Sequence, residues 1–220
     1  MASQVYTSVD DVELVERRRE QVVAAAAELY GRNGFHKTTV KEIAQLAGVS
    51  AGLIYSYVKT KEDVLFLVLQ SVLESYAREI PKALQGVTDP IQRFCAATRA
   101  YCQVVAANPD ASLLAYRETK SLGREQKETI KDMEVKTIQF LVQCIEDCIA
   151  AGYFRSVHVQ LAAYRLALLA HGWALKGWYF KKFTTIEQYT EEGLDLFLHA
   201  LMTPVGWKHY RGTEGELADK

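Results

Sequence analysis

Residues 38–61, TTVKEIAQLAGVSAGLIYSYVKTK, decide the fold. They spell two short helices joined by a tight turn. Thr39 can cap the first helix, and Glu42, three residues on, can close a capping box by accepting from the Thr39 amide. Ile43, Leu46 and Ala47 give that helix one apolar face. Gly48 stands where the helix stops, because a residue without Cβ enters the left-handed conformation freely. Val49 can turn inward as the plug of the turn, and Ser50 is a good N-cap for a second helix carrying Leu53, Ile54 and Val58. Helix, short turn with Gly, helix is the pattern whose second helix lies in the major groove of DNA.

The charge around this stretch is local. Between residues 32 and 61 five basic side chains, Arg32, Lys37, Lys41, Lys59 and Lys61, face the single acid Glu42, although the chain of 220 residues has net charge −1. A polyanion is drawn to this end, since each neutralised phosphate releases condensed counterions.

Working outward, the length suits a small head plus a body of about 150 residues. Gly and Pro together number 17, and alternating β-branched runs are scarce, so the chain is predicted to be all-α with about nine helices. Its 49% apolar and 24% charged content is that of an ordinary globular protein. Residues 1–11 lack the charged-then-apolar pattern of an export signal, which points to the cytoplasm. The most apolar run, residues 161–180, has membrane length but contains Arg165, His171 and Lys176, each costly in lipid, so it is expected to be a doubly buried helix. Cys95, Cys102, Cys144 and Cys148 form no CxxC and are expected to be reduced core side chains.

In chain order, a first helix is expected over Glu13–Arg32, with the run Arg17–Arg19 either reaching a phosphate or paired with Glu13, Glu16 and Glu20. Thr60 with Asp63 caps a fourth helix running to about Leu84. Asp89-Pro90 and Asn108-Pro109 open the fifth and sixth, and Pro at the first helical position forfeits no hydrogen bond. A seventh helix is expected from about Arg124 to Ala151. Val157–Lys182 makes the eighth, apolar nearly all round and therefore in need of burial on more than one side. Thr185 with Gln188 caps a ninth, and the polar stretch after Thr203-Pro204, residues 204–220, reads as a loose tail.

The segment GFHKTTVKEIAQLAGVSAGLIYSYVKTKEDVL resembles the DNA-binding domain of TetR/AcrR-family transcriptional regulators. Thr38, Ile43, Ala44, Gly48-Val49-Ser50, Tyr55, Tyr57, Lys61 and Leu65 stand in register with that pattern over residues 34–65. Val58 stands where Phe is usual and Tyr57 where His is frequent. The resemblance implies a three-helix DNA-binding head over residues 10–60 and a helical ligand-binding and dimerisation body over 61–203. It places Thr38, Tyr55, Tyr57 and Lys61 on phosphates, with Lys37 and Thr39 beside them. Ser50, Ala51 and Gly52 are small enough for close approach to the groove, and Leu53 and Ser56 lie where base edges are read. It further implies a homodimer on a palindromic operator, with half-sites about 34–36 Å apart or a multiple of that. Its dimer forms through the last two long helices, for which Leu161, Tyr164, Leu168, Gly172, Trp178 and Phe197 are suited.

For the body, Phe94, Tyr101, Tyr116, Met133, Phe140 and Trp173 are aromatic or Met side chains at helical spacing. Arg99, Arg117 and His171 are polar on otherwise apolar helices; a buried guanidinium there needs an acid such as Glu118 or Glu134, or an anionic ligand. The stretch LLAYRETKSL resembles the sixth helix of family members that respond to acyl-CoA esters or related acids. It implies an apolar effector with an anionic head, such as an acyl-CoA thioester, and no bound cofactor. Enzyme activity is not expected. His36, His158, His171, His199 and His209 are scattered without a nucleophile signature, a phosphate loop or a metal-ligand cluster. The expected function is a repressor released from its operator by the effector; the alternative is an architectural DNA-binding protein without one.

Overall fold

In the computed structural model of the chain, residues 12–218 are described. Caps written into the sequence set the helix starts. Helix α1 spans Val12–Asn33, α2 Val40–Leu46, α3 Ala51–Tyr57 and α4 Lys61–Leu84. The Glu42 amide donates to Thr39 Oγ1 at 3.2 Å while Glu42 Oε2 accepts from the Thr39 amide at 2.7 Å, the reciprocal box expected for α2. The Leu53 amide donates to Ser50 Oγ at 3.1 Å and starts α3. Between them Gly48 turns the chain with φ 68°, a left-handed value that a side chain would oppose.

The body follows the same logic. Helices α5 (Pro90–Ala107), α6 (Pro109–Glu118), α7 (Arg124–Ala150), α8 (Val159–Phe180), α9 (Ile186–Leu201) and α10 (Pro204–Ala218) complete the chain, with one 3-10 turn at Thr119–Ser121. The all-α expectation holds: among the described residues the sole β pairing is an isolated bridge between Phe154 and Met202. Two features were not foreseen. Residues 204–218 form α10 where a loose tail was expected, and α8 is broken at Lys176, whose φ −127° and ψ 17° are not helical.

The described residues divide into two compact units, 12–75 with 108–134 and 76–107 with 135–218. In the first, α1, α2 and α3 close over Val22, Ala26, Tyr30, Ile43, Ile54 and Val58, and the start of α4 adds Leu65 and Val68. Val58 is buried in that core, so its place in the pattern is a packing position. Helix α6 lies on α1: a Cβ on Gly31 would stand 2.8 Å from an Asp110 carboxylate oxygen. Leu114, Leu122 and Ile130 belong to the same core.

In the second unit α5 packs against α8 and α9. Phe94 meets Phe154 edge to face at 5.1 Å. The four cysteines are buried thiols outside any disulfide, and burial holds those of Cys102 and Cys144 up at about 11, so they pack as neutral side chains. Helices α8 and α9 approach closely at two glycines. A Cβ on Gly193 would lie 2.4 Å from Leu169, and one on Gly172 would lie 2.7 Å from the Tyr189 hydroxyl, which donates to the Leu169 carbonyl.

Helix α10 is anchored by Thr203, whose Oγ1 accepts the Gly206 amide, and by His209, which stacks on Tyr153 at 4.4 Å and hydrogen-bonds Asp89. A Cβ on Gly206 would sit 2.3 Å from the Tyr153 carbonyl oxygen, and that backbone atom cannot rotate away. Gly206→Ala is therefore expected to lower the thermal midpoint, since overpacking costs about 1–3 kcal/mol. Calorimetry of the variant checks this; an unchanged midpoint would mean that α10 is not held at Tyr153.

Candidate functional site

Burying Ile54 and Val58 turns the opposite side of α3 outward. Gly52 and Tyr55 are exposed, Tyr55 at 51%, while Ala51, Leu53 and Ser56 are half-buried beside them. Ser50 is exposed, with its hydroxyl oxygen engaged by the Leu53 amide, and the Ser56 hydroxyl donates to the Leu53 carbonyl at 2.7 Å. Tyr57 lies on α3, but its side chain falls outside the described residues. No charged side chain sits on α3, so the positive charge comes from the connections around it.

Those connections present Lys37, Lys41 and Lys59 to solvent. Thr39 is exposed but committed to Glu42, whose carboxyl is held below its ordinary range by the Thr39 hydrogen bonds. Lys61 is half-buried. Its Nζ donates to the His36 carbonyl at 3.1 Å and stands 4.5 Å from the centroid of the Phe35 ring. Desolvation lowers its pKa, opposed by the nearby Glu62, Glu118 and Glu42. Arg32 is paired with Glu28 on its own helix at 2.9 Å. Of the run Arg17–Arg19, Arg18 donates to Gln21 at 2.9 Å; the side chains of Glu13 and Glu16 lie outside the described residues.

One expected phosphate contact is corrected. Thr38 is only 1% exposed, and its hydroxyl is directed at the Gly34 carbonyl at 3.0 Å and the Leu29 carbonyl at 3.3 Å. It locks the turn after α1 rather than facing outward. Sequence reasoning also missed Asp63 as more than a cap: its Oδ1 accepts from Gln126 Nε2 at 2.7 Å. Nothing in the local pattern signals a partner 63 residues away.

The nine candidate effector residues are divided between the two units. Tyr116, Arg117 and Met133 belong to the first unit, and Phe94, Arg99, Tyr101, Phe140, His171 and Trp173 to the second. Tyr116 and Arg117 are exposed, Met133 and Phe140 are half-buried, and Phe94 and Trp173 are packed in the core. Arg99 is half-buried and forms a two-pronged ion pair with Glu191 at 2.6 and 2.7 Å, so its partner is neither Glu118 nor Glu134. In the second unit the candidates that meet are Tyr101 and His171, with ring centroids 5.8 Å apart, and Tyr76 lies 4.4 Å from Tyr101. Burial drives the His171 pKa down from 6.5 to about 4.

On α8, Leu161, Tyr164, Leu168 and Trp178 are exposed along with Leu175 and Tyr179, and on α9 Leu196 is 71% exposed with Phe197 half-buried. Gly172 is half-buried, and a Cβ added there would meet the Tyr189 hydroxyl of the same chain. Between α8 and α9 a groove of about 300 Å³ is lined by Leu161, Leu196 and Phe197, with Arg155, His158 and Arg165 and no acid. Among the described residues no helix is long and apolar enough to cross a membrane, and no His, Cys, Asp and Glu group could hold a metal ion.

A two-helix turn on a buried three-helix core, with small exposed residues opening the second helix and lysines around it, defines a helix-turn-helix DNA-binding protein. The profile of bacterial regulatory proteins of the tetR family matches residues 22–68, and that of the tetracyclin repressor-like C-terminal domain matches residues 87–201. The chain belongs to the TetR family of transcriptional regulators, DNA-binding proteins without enzymatic activity. It is 43% identical over 205 residues to the HTH-type transcriptional regulator HbdR of Aromatoleum sp. (strain CIB), covering 93% of this chain and 90% of that protein. Among solved structures, a tetR-family regulatory protein from Rhodococcus RHA1 superposes with TM-score 0.75 at 23% identity, over 83% of this chain and 96% of that one. AibR, solved in complex with isovaleryl coenzyme A and operator DNA, superposes with TM-score 0.70 at 20% identity, over 81% and 97%.

Two outcomes follow from the geometry. Thr38→Val should destabilise the head by about 1–2 kcal/mol, as loss of a buried hydrogen bond does, while the salt dependence of DNA binding stays that of wild type; a shallower salt slope would return Thr38 to the phosphates. For His171 the neutral ring is the folded form, and between pH 6.5 and about 4 the unfolded chain binds the extra proton. Denaturation midpoints should thus fall as pH drops through that window, and less so in His171→Leu.

Proposed function

We propose that the protein is a homodimeric repressor that leaves a palindromic operator when a small apolar effector with an anionic head binds the body. The observation that carries this reading is the outward face of α3. Gly52 and Ala51 let the helix approach the groove, Leu53 and Ser56 read base edges, and Tyr55, Tyr57, Lys37 and Lys61 hold phosphates. Residues 10–60 act as the head and 61–203 as the effector and dimer body, and the cytoplasm is the site of action.

The dimer reading is supported by the exposed apolar side of α8 and Leu196 of α9, a patch of the kind that marks an interface. Charge favours it as well. Helix α8 carries Arg165 and Lys176 and no acid, whereas α9 carries Glu187, Glu191, Glu192 and Asp195 and no Lys or Arg, so α8 of one copy is complementary in charge to α9 of another. Acyl-CoA thioesters are the proposed effector class. The isovaleryl coenzyme A in the AibR complex supports it, and so do Tyr101 and His171 as polar groups within an apolar unit.

A labelled duplex recovered by the wild-type chain from a randomised pool provides the test. The selected sequences should contain two inverted half-sites bound by one dimer, and short-chain acyl-CoA thioesters, but not free coenzyme A, should release the duplex. Selection of no common sequence would contradict the operator reading, and release by none of the thioesters would contradict the effector class.

A further inference from the structure

The connection from α3 to α4 carries Lys59 and leads into Lys61, the first residue of α4, and both are tied through Asp63 and His36 to the segment 118–126. Asp63 is the joint. Its Oδ2 accepts the backbone amides of Lys59 and Thr60, each at 2.9 Å, and its Oδ1 accepts Gln126 Nε2 at 2.7 Å. The Asp63 amide in turn donates to Thr60 Oγ1 at 3.1 Å. Both carboxylate oxygens are therefore spent, one on the backbone beside the lysines and one on the third residue of α7. A second tie reaches the Lys61 side chain. Glu118 Oε2 accepts from the Ser121 hydroxyl at 3.0 Å and stands 3.3 Å from His36 Nε2, while the His36 carbonyl accepts from Lys61 Nζ at 3.1 Å.

An α4 cap requires only Thr60 and Asp63, so the bond to Gln126 adds nothing to the start of that helix. What it adds is direction: a carboxylate gripped from one side by α7 fixes the plane in which the Lys59 and Thr60 amides lie. We infer that Gln126 and Glu118 are positioning residues for DNA binding, holding the 59–61 connection in the orientation in which its lysines meet the phosphate backbone. The inference rests on reading that connection as a phosphate contact. Leu122 and Ile130, buried in the same core, keep the segment 118–126 against the head, so the ties are made by a packed element rather than by a free loop. Any effector or substitution that displaces Gln126 from Asp63 releases the connection without touching the recognition helix.

The test measures anisotropy of the selected duplex across a salt series. Gln126→Met keeps the bulk of the side chain and removes the donor. It should weaken binding roughly three- to tenfold, the size of one lost hydrogen bond, and make the slope of log affinity against log salt shallower by about one phosphate contact. The thermal midpoint should fall by no more than about 4 °C, the cost of one hydrogen bond, and the dimer should match wild type. Lys61→Ala serves as the reference. If Lys61→Ala leaves binding intact, the phosphate reading of the connection fails. If Lys61→Ala weakens binding while Gln126→Met matches wild type in affinity and slope, the positioning role is wrong. Weakening with an unchanged slope also overturns it, since that pattern belongs to a general loss of head structure. Should Gln126→Met fold poorly, Glu118→Gln decides by the same two readouts.

Discussion

The structure of the head depends on one constraint, the burial of Ile43 and Ile54 on either side of a turn too short to allow any other packing. Each is fully enclosed, and together with Tyr30 and Val58 they fix how α2 and α3 are rotated. Once Ile54 points inward, the helical period leaves Gly52 and Tyr55 no direction but outward. Losing such an aliphatic side chain to Ala costs about 2–5 kcal/mol, so the identity of the recognition surface is set by the core beneath it.

Polar groups then refine what the core has oriented. Thr39, Ser50, Thr60 and Asp63 satisfy amides at helix starts, and each does so by geometry that local sequence spells out. Thr38 shows where that legibility ends. Its place in the family pattern suggested a phosphate contact, yet its hydroxyl is buried against two backbone carbonyls. A polar residue beside a DNA-binding helix can stand at a fixed position because it closes the turn, and sequence alone does not separate the two reasons.

The helices were readable in the sequence because period, caps and prolines agree, and α4 and α9 start where Thr60 and Thr185 foretold. Other features were not. The break in α8 at Lys176 lies between Gly172 and Gly177 in a run without Pro, and its position is not spelled out by the apolar pattern, while α10 is a polar segment whose helix is anchored by tertiary contacts with Tyr153 and Asp89. Arg99 was expected to need a partner, and it has one in Glu191, 92 residues on. Side chains that meet across such distances, Gln126 with Asp63 among them, are set by packing and carry no spacing rule.

The central claim is that DNA is met by the outward face of α3 and the lysine-bearing connections beside it. Hydrogen exchange of the intact chain, with and without the selected duplex, tests it most directly. The account predicts added protection concentrated in peptides spanning residues 37–61. Protection absent there and concentrated instead on α8 and α9 would contradict it.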